Sequence, residues 1–368
     1  MMISPSRFSS IRPPELKAIS FPYFETATVA APILNTHTRP SFFARQVMNL
    51  ALALATTPNR LAASLPYLVS PKDRIRLFPN LKTVDLKSVD GVTLKGYWIP
   101  SKKPSSSTVI LLHGFFANSG SMVPLAHKLH QRNHSVFMMD FRSHGQSGAE
   151  KPCTLGYDEG KDILAAVRQV KEAHPEAAKD LTLLGHSMGA SAILSLPKSL
   201  QAIPGGIDDI NRSVNRLVLD APYERLNLIQ NPFITRAFQS KWMNRLFPGL
   251  AGAFVTMLNG SELTTRMNLP SILDEFRPAE DFLKSKALSE KPVLLIHGKH
   301  DSRTPYEQAK RIQQQLKDKK VDIQLLTLNA DHVNPRWEGS KSWIPKRVSL
   351  RDEENYLKAL DQHLQKQS

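Results

Sequence analysis

Residues 181–194 read Leu181-Thr-Leu-Leu-Gly185-His-Ser187-Met-Gly189-Ala-Ser-Ala-Ile-Leu194, and this order decides the fold. Leu181–Leu184 is a short, mostly apolar run of the kind that forms a buried strand. From Ala190 the composition turns helical. Between them stands Gly185-His186-Ser187-Met188-Gly189. A Gly-x-Ser-x-Gly pattern between strand and helix predicts a turn so tight that only glycine fits beside the serine. The hydroxyl then projects from the strand end above a helix N-terminus, whose amides favour developing negative charge. The five-residue pattern alone occurs by chance. Its strand–turn–helix setting makes it specific.

Working outward, the same kind of apolar run recurs at Thr108–His113, Ser135–Asp140, Arg216–Asp220, Pro292–His297 and Asp322–Leu328. Helical spacings separate them: Val123, Leu125, Ala126 and Leu129, then Ile163, Leu164, Val167, Val170 and Ala173. A last helix is expected over about 350–365, with Tyr356, Leu357, Leu360 and Leu364 on one face. Upstream, Leu81–Val89 and Val92–Ile99 flank Asp90-Gly91, a hairpin signal. Continuous apolar strands alternating with helices predict a mostly parallel, doubly wound α/β sheet of eight strands. One stretch, about 221–290, breaks the alternation. It carries Leu226, Phe233, Trp242, Phe254, Met257 and Phe276 but no convincing strand. It is expected to be a helical insertion, either packed on the body or standing as a lid over a pocket.

At 368 residues the chain is long enough to bury a large core. Its one cysteine, Cys153, excludes an intrachain disulfide and any multi-cysteine zinc or iron–sulfur site. The net charge of +15 is dispersed, the densest spot being Lys317, Lys319 and Lys320. Such a scattered excess reads as a solvated surface, and no nucleic-acid partner is expected. Residues 1–80 form an extension rich in serine and proline, partly flexible, with nine Lys or Arg against three acids. An amphipathic helix is expected near 42–56. Its apolar run, Leu50–Ala55, is far short of the roughly 20 residues that span a membrane. A secretory signal would lie nearer Met1. The expectation is a cytoplasmic protein. A weak peripheral contact of the extension with an anionic membrane is the alternative.

Three further loops follow strand ends. They are His113-Gly114-Phe115, Asp140-Phe-Arg-Ser-His-Gly-Gln-Ser147, and His297-Gly298-Lys-His-Asp301-Ser-Arg-Thr-Pro305. With the serine pentapeptide they resemble the α/β-hydrolase superfamily, in its serine aminopeptidase-like and monoacylglycerol-lipase-like branch. Ser143 stands where that family's D-x-R-G-H-G-x-S signature has glycine. The resemblance covers about 81–365, giving a hydrolase domain over 81–368, and leaves residues 1–80 unaccounted for. It implies the α/β-hydrolase fold with a helical lid at about 221–290.

In this fold the chain order is nucleophile, acid, histidine. The resemblance thus implies Ser187 as nucleophile, Asp301 as acid and His332, in Asn329-Ala-Asp-His332, as base. Asp220 competes as the acid, and the fuller loop pattern around Asp301 favours the latter. The backbone N–H groups of Phe115 and Met188 would form the oxyanion hole, and Phe116 would line the pocket. No metal and no cofactor are implied. His113 and His144 fit as hydrogen-bonding supports and His186 as structural. His300 is too near Asp301 in sequence to serve as base, and His363 has no evident role. The implied activity is cleavage of a carboxylic ester, of lipid or small-molecule type, through an acyl-enzyme. An aminopeptidase-type peptidase or amidase and an inactive binding protein are the alternatives; the intact Ser, Asp and His argue against the last.

Overall fold

The apolar runs become the strands β1 (Lys82–Lys87), β2 (Thr93–Ile99), β3 (Ser107–Leu112), β4 (Ser135–Asp140), β5 (Asp180–His186), β6 (Val214–Asp220), β7 (Val293–Gly298) and β8 (Ile323–Leu328). This computed structural model describes residues 77–366 except Phe116, Pro152, Ser302, 226–275 and 333–349. The expected helix near 42–56, Phe116 and most of the expected lid lie outside the described residues.

The strands join in one sheet of order β1-β2-β4-β3-β5-β6-β7-β8. The β1–β2 and β2–β4 pairs are antiparallel, and all later pairs are parallel. Both faces of the central strands are covered, which is why β3 to β7 read as largely apolar runs, while the edge strand β1 is mostly exposed. Ile110 and Leu112 of β3 point into one core layer with Leu183, Leu219 and Leu295. Val109 and Leu111 point into the other with Val136, Met138, Val218 and Ile296.

The first layer is closed by α2 (Gly160–Ala173), through Ile163, Leu164, Val167 and Val170, and by α3 (Met188–Leu194). The second is closed by α1 (Val123–Gln131) and by α9 (Leu350–Leu364). The face expected for α9 is buried: Tyr356, Leu357, Leu360 and Leu364 all join that layer. The helical run expected from Ala190 onward is two pieces, α3 and a short α4 (Leu196–Ser199), split at Ser195. Pro197 explains the break, because it cannot donate back to Ile193. The helix α5 (Gly206–Ser213) then leads into β6. At the far end of the insertion, α6 (Pro278–Phe282) and α7 (Lys286–Ser289) lead into β7. Phe276 is fully buried beside Tyr223 and Tyr157, so it belongs to the core and not to the face of a lid. The helix α8 (Tyr306–Asp318) connects β7 to β8. No helix among the described residues is long and apolar enough to cross a membrane.

A buried charge cluster anchors the loop after β4. The Arg142 guanidinium meets Asp162 of α2 at 2.7 Å and Asp90 of the β1–β2 turn at 3.0 Å. Burial would penalise each charge, yet the Arg142 charge draws the Asp90 carboxyl down to about 2. Three segments far apart in sequence are thereby tied beneath the sheet's C-terminal edge.

Candidate active site

Every sequence-predicted site residue in the described part lies after the C-terminal end of a parallel strand: Phe115 after β3, Ser187 after β5, Asp301 after β7 and His332 after β8. Open α/β sheets gather their sites along this edge.

Ser187 is held at φ +50°, ψ −110°, a conformation costly for any side-chain-bearing residue. The flanking glycines make it attainable. A Cβ on Gly185 would lie 2.4 Å from Ala190 N, and one on Gly189 would lie 2.4 Å from Leu112 O. The turn is fixed from the side by Ser187 N–H donating to Asp220 O at 2.7 Å. Ser187 is half-buried while its neighbours His186 and Met188 are buried, so the serine is the exposed point of the turn.

The side chains of Ser187, His332 and Asp301 meet. His332 Nε2 stands 2.9 Å from Ser187 Oγ, and His332 Nδ1 stands 2.7 Å from Asp301 Oδ2. A carboxylate accepts, so Nδ1 carries the proton and Nε2 is left with a lone pair for the serine hydroxyl. Asp301 is buried and heavily bonded. Its Oδ1 accepts from Arg303 N–H at 2.9 Å and Thr304 N–H at 2.8 Å, and its Oδ2 from the Thr304 hydroxyl at 2.8 Å. Burial alone would raise its pKa. The interactions with His332 and His297 outweigh that and hold the carboxyl well below the usual carboxylate range.

Two members of this cluster escaped the sequence reading. Thr304 bonds Asp301 and also lies 3.1 Å from His332 Nδ1. His297 is fully buried; its Nε2 donates to Thr304 O at 2.7 Å and lies 3.3 Å from Asp301 Oδ2. The Asp-x-x-Thr spacing, which lets a carboxylate cap the next backbone amides, was the available signal for Thr304. For His297 it was the recurrence of His-Gly at a strand end.

Asp220, the competing acid, faces elsewhere. Its Oδ2 accepts from the Tyr356 hydroxyl at 3.2 Å and lies 3.3 Å from His186 Nε2. His300 bonds Asn329 Oδ1 at 2.9 Å, away from the serine. His363 is buried and bonds Leu217 O at 3.1 Å, pinning α9 to β6.

The loop after β3 closes on the serine: a Cβ on Gly114 would be 3.3 Å from Ser187 Cβ. His113 is fully buried and accepts Phe141 N–H on Nε2 at 3.0 Å, which leaves the proton on Nδ1 to donate to Gly114 O at 2.7 Å. That bond fixes the peptide plane that carries the Phe115 N–H. Met188 opens α3, where the first amides of a helix have no intrahelical partner. His144 supports the loop from below, its Nδ1 donating to Arg142 O at 2.8 Å and its ring edge-on to Phe115. Chemically, the arrangement offers a hydroxyl beside a neutral imidazole, a carboxylate behind that imidazole, and two backbone segments converging on the serine.

Comparison with known proteins agrees with this fold. The model of the serine aminopeptidase family, S33, matches residues 103–327, more than half of the chain. The protein YfhR of Escherichia coli O157:H7 is 26% identical over 257 residues, covering 69% of this chain and 74% of YfhR. Protein phosphatase methylesterase 1 of Candida albicans is 27% identical over 190 residues, 50% of this chain and 48% of that one. Among solved structures, the esterase Pf2001 of Pyrococcus furiosus superposes with a TM-score of 0.55 at 24% identity, covering 81% of this chain and 94% of that one.

Proposed function

The chain belongs to the serine aminopeptidase (S33) family of α/β hydrolases, and from that premise we propose that it is a serine hydrolase that cleaves a carboxylic ester through an acyl-enzyme. The observation that carries this reading is the unbroken hydrogen-bonded line Ser187 Oγ, His332, Asp301 at 2.9 and 2.7 Å. In this mechanism His332 Nε2 takes the Ser187 proton as Oγ attacks the carbonyl carbon. Asp301 keeps the imidazole in the Nδ1–H form and stabilises the imidazolium. The Phe115 and Met188 amides hold the tetrahedral oxyanion. His332 returns the proton to the leaving alkoxide. Water, activated by the same histidine, then frees the acid and restores Ser187.

The ester preference draws on two similar proteins whose names state an activity, a methylesterase and an esterase. The family's own description, serine aminopeptidase, favours a peptidase as the second reading. Lipid character in the substrate would draw on the apolar insertion at about 221–290. A panel of p-nitrophenyl esters and aminoacyl-p-nitroanilides separates the readings. We expect turnover of esters, abolished in Ser187→Ala by several orders of magnitude. Turnover of anilides alone would replace the ester reading by the peptidase one, and undiminished activity in Ser187→Ala would remove Ser187 from the mechanism.

A further inference from the structure

The His332–Asp301 pair has a counterpart beneath the serine. His186 precedes Ser187 in the turn, and Asp220 lies opposite it in the β5–β6 register. Asp220 is buried, and its backbone and side chain act on the same turn. Its carbonyl receives the Ser187 N–H at 2.7 Å, while its Oδ2 lies 3.3 Å from His186 Nε2. That ring nitrogen is buried and has no hydrogen-bond partner among the described residues. The same Oδ2 accepts the Tyr356 hydroxyl from α9, the helix that follows the loop bearing His332.

Two facing lone pairs would repel, so this contact holds one proton, carried by Nε2 when Asp220 is ionised or by Oδ2 when it is not. We propose that Asp220 is a positioning residue for Ser187, its carboxyl bridging His186 to Tyr356 and so holding the turn at the height where Ser187 meets His332. The proposal rests on Ser187 being the nucleophile.

The electrostatics support it. Burial raises the Asp220 carboxyl to about 7, against a hydrogen bond from Tyr356 and the electrostatic influence of His297, and with the Asp301 charge adding to the rise. Burial, helped by His332, lowers His186 to about 3, so its ring is neutral. Burial also raises the Tyr356 hydroxyl well above its ordinary value, so it stays a donor. The ionisable groups facing Asp220 are thus His186 from β5, Tyr356 from α9, His297 from β7 and Asp301 from the loop after β7, with His332 acting on His186. Above about pH 7 the carboxyl ionises and a negative charge appears beneath the serine turn, which opposes the developing oxyanion and lowers reactivity.

The test is the rate at which a fluorophosphonate labels Ser187 between pH 5.5 and 9 in the full-length protein, which needs no knowledge of the substrate. In wild type the rate should fall on the alkaline side with an inflection near 7. Asp220→Asn places a permanent donor at the same point. It should lower the best rate modestly and abolish the alkaline fall. Asp220→Ala removes the bridge and should slow labelling by about 10- to 100-fold, as a displacement approaching 1 Å in a catalytic site does. Tyr356→Phe removes one end of the bridge. It should steepen or shift the alkaline fall, which keeps the test open if Asp220→Ala does not fold. An Asp220→Asn profile superimposable on wild type overturns the proposal. Absence of Ser187 labelling in wild type instead overturns the proposed function on which it rests.

Discussion

Replacing Gly189 by alanine tests whether the turn and the loop after β3 share one space. The added Cβ would lie 2.4 Å from Leu112 O and 2.9 Å from His113 O, against an ordinary contact of 3.4 Å or more. Both oxygens are backbone, at the end of a strand paired on both sides by β4 and β5. Neither can swing away as a side chain would. A shortfall of about 1 Å must be met by parting α3 from β3, which moves Met188 and Ser187 away from Phe115. Overpacking of this kind costs about 1–3 kcal/mol. Alanine in place of glycine in a helix returns about 1 kcal/mol. The net loss of roughly 0–2 kcal/mol corresponds to at most about 4 °C in Tm for a chain of this size. Activity should suffer far more, about 100-fold in kcat, because a misplacement near 1 Å separates the groups that act together. Differential scanning fluorimetry and ester kinetics on the same preparation give both numbers. Gly205→Ala is the control. It has nothing within 4 Å of its Cβ and φ +67°, so it should lose stability through backbone strain and keep its kcat. A Gly189→Ala protein with kcat within about threefold of wild type would refute the reasoning.

The remaining expectations concern buried charge. Asp301 has its pKa depressed by folding, so its stabilisation is present above the unfolded value near 4 and is lost as pH falls below it. The Tm difference between wild type and Asp301→Asn should therefore be largest near neutrality and shrink below about pH 4, while kcat falls by about 10⁴ at neutral pH; a difference that grows toward acid contradicts the assignment. Arg142→Met leaves Asp162 fully buried without its partner and should cost about 3–5 kcal/mol in urea unfolding. A loss under about 1 kcal/mol would show that the cluster does not anchor the loop.

The strands were legible because a sheet covered on both faces favours apolar side chains at most positions, and β3 to β7 each carry a run of them. The serine turn was legible because the space around Gly185 and Gly189 admits no other residue. The choice between Asp220 and Asp301 was harder. Asp220 ends β6 and Asp301 lies just past the end of β7, and only the direction of the carboxylates, one toward Tyr356 and His186 and the other toward His332, distinguishes them. Direction is set by packing between segments 31 residues apart for Asp301 and His332 and 136 apart for Asp220 and Tyr356, which no local pattern encodes. The same holds for His363, whose bond to Leu217 O depends on how α9 settles against β6. Thr304 could have been found from its spacing to Asp301. Phe276 was grouped with the lid because apolar content alone does not say which side of a chain faces inward.

The distances along the chain that close this site have a consequence for how the molecule is made. Ser187 and His332 are 145 residues apart, Asp220 and Tyr356 are 136 apart, and Arg216 reaches the Lys366 carbonyl across 150. Loop closure over such spans adds little to the final free energy, since doubling a loop costs only about 0.6 kcal/mol. It weighs more on rate, because contacts between distant segments form after local ones. Under the proposed mechanism, a chain whose distant segments are still unpaired carries the Gly185–Gly189 stretch without His332 and Tyr356 beside it, so Ser187 would gain its activating partner only once the sheet has closed.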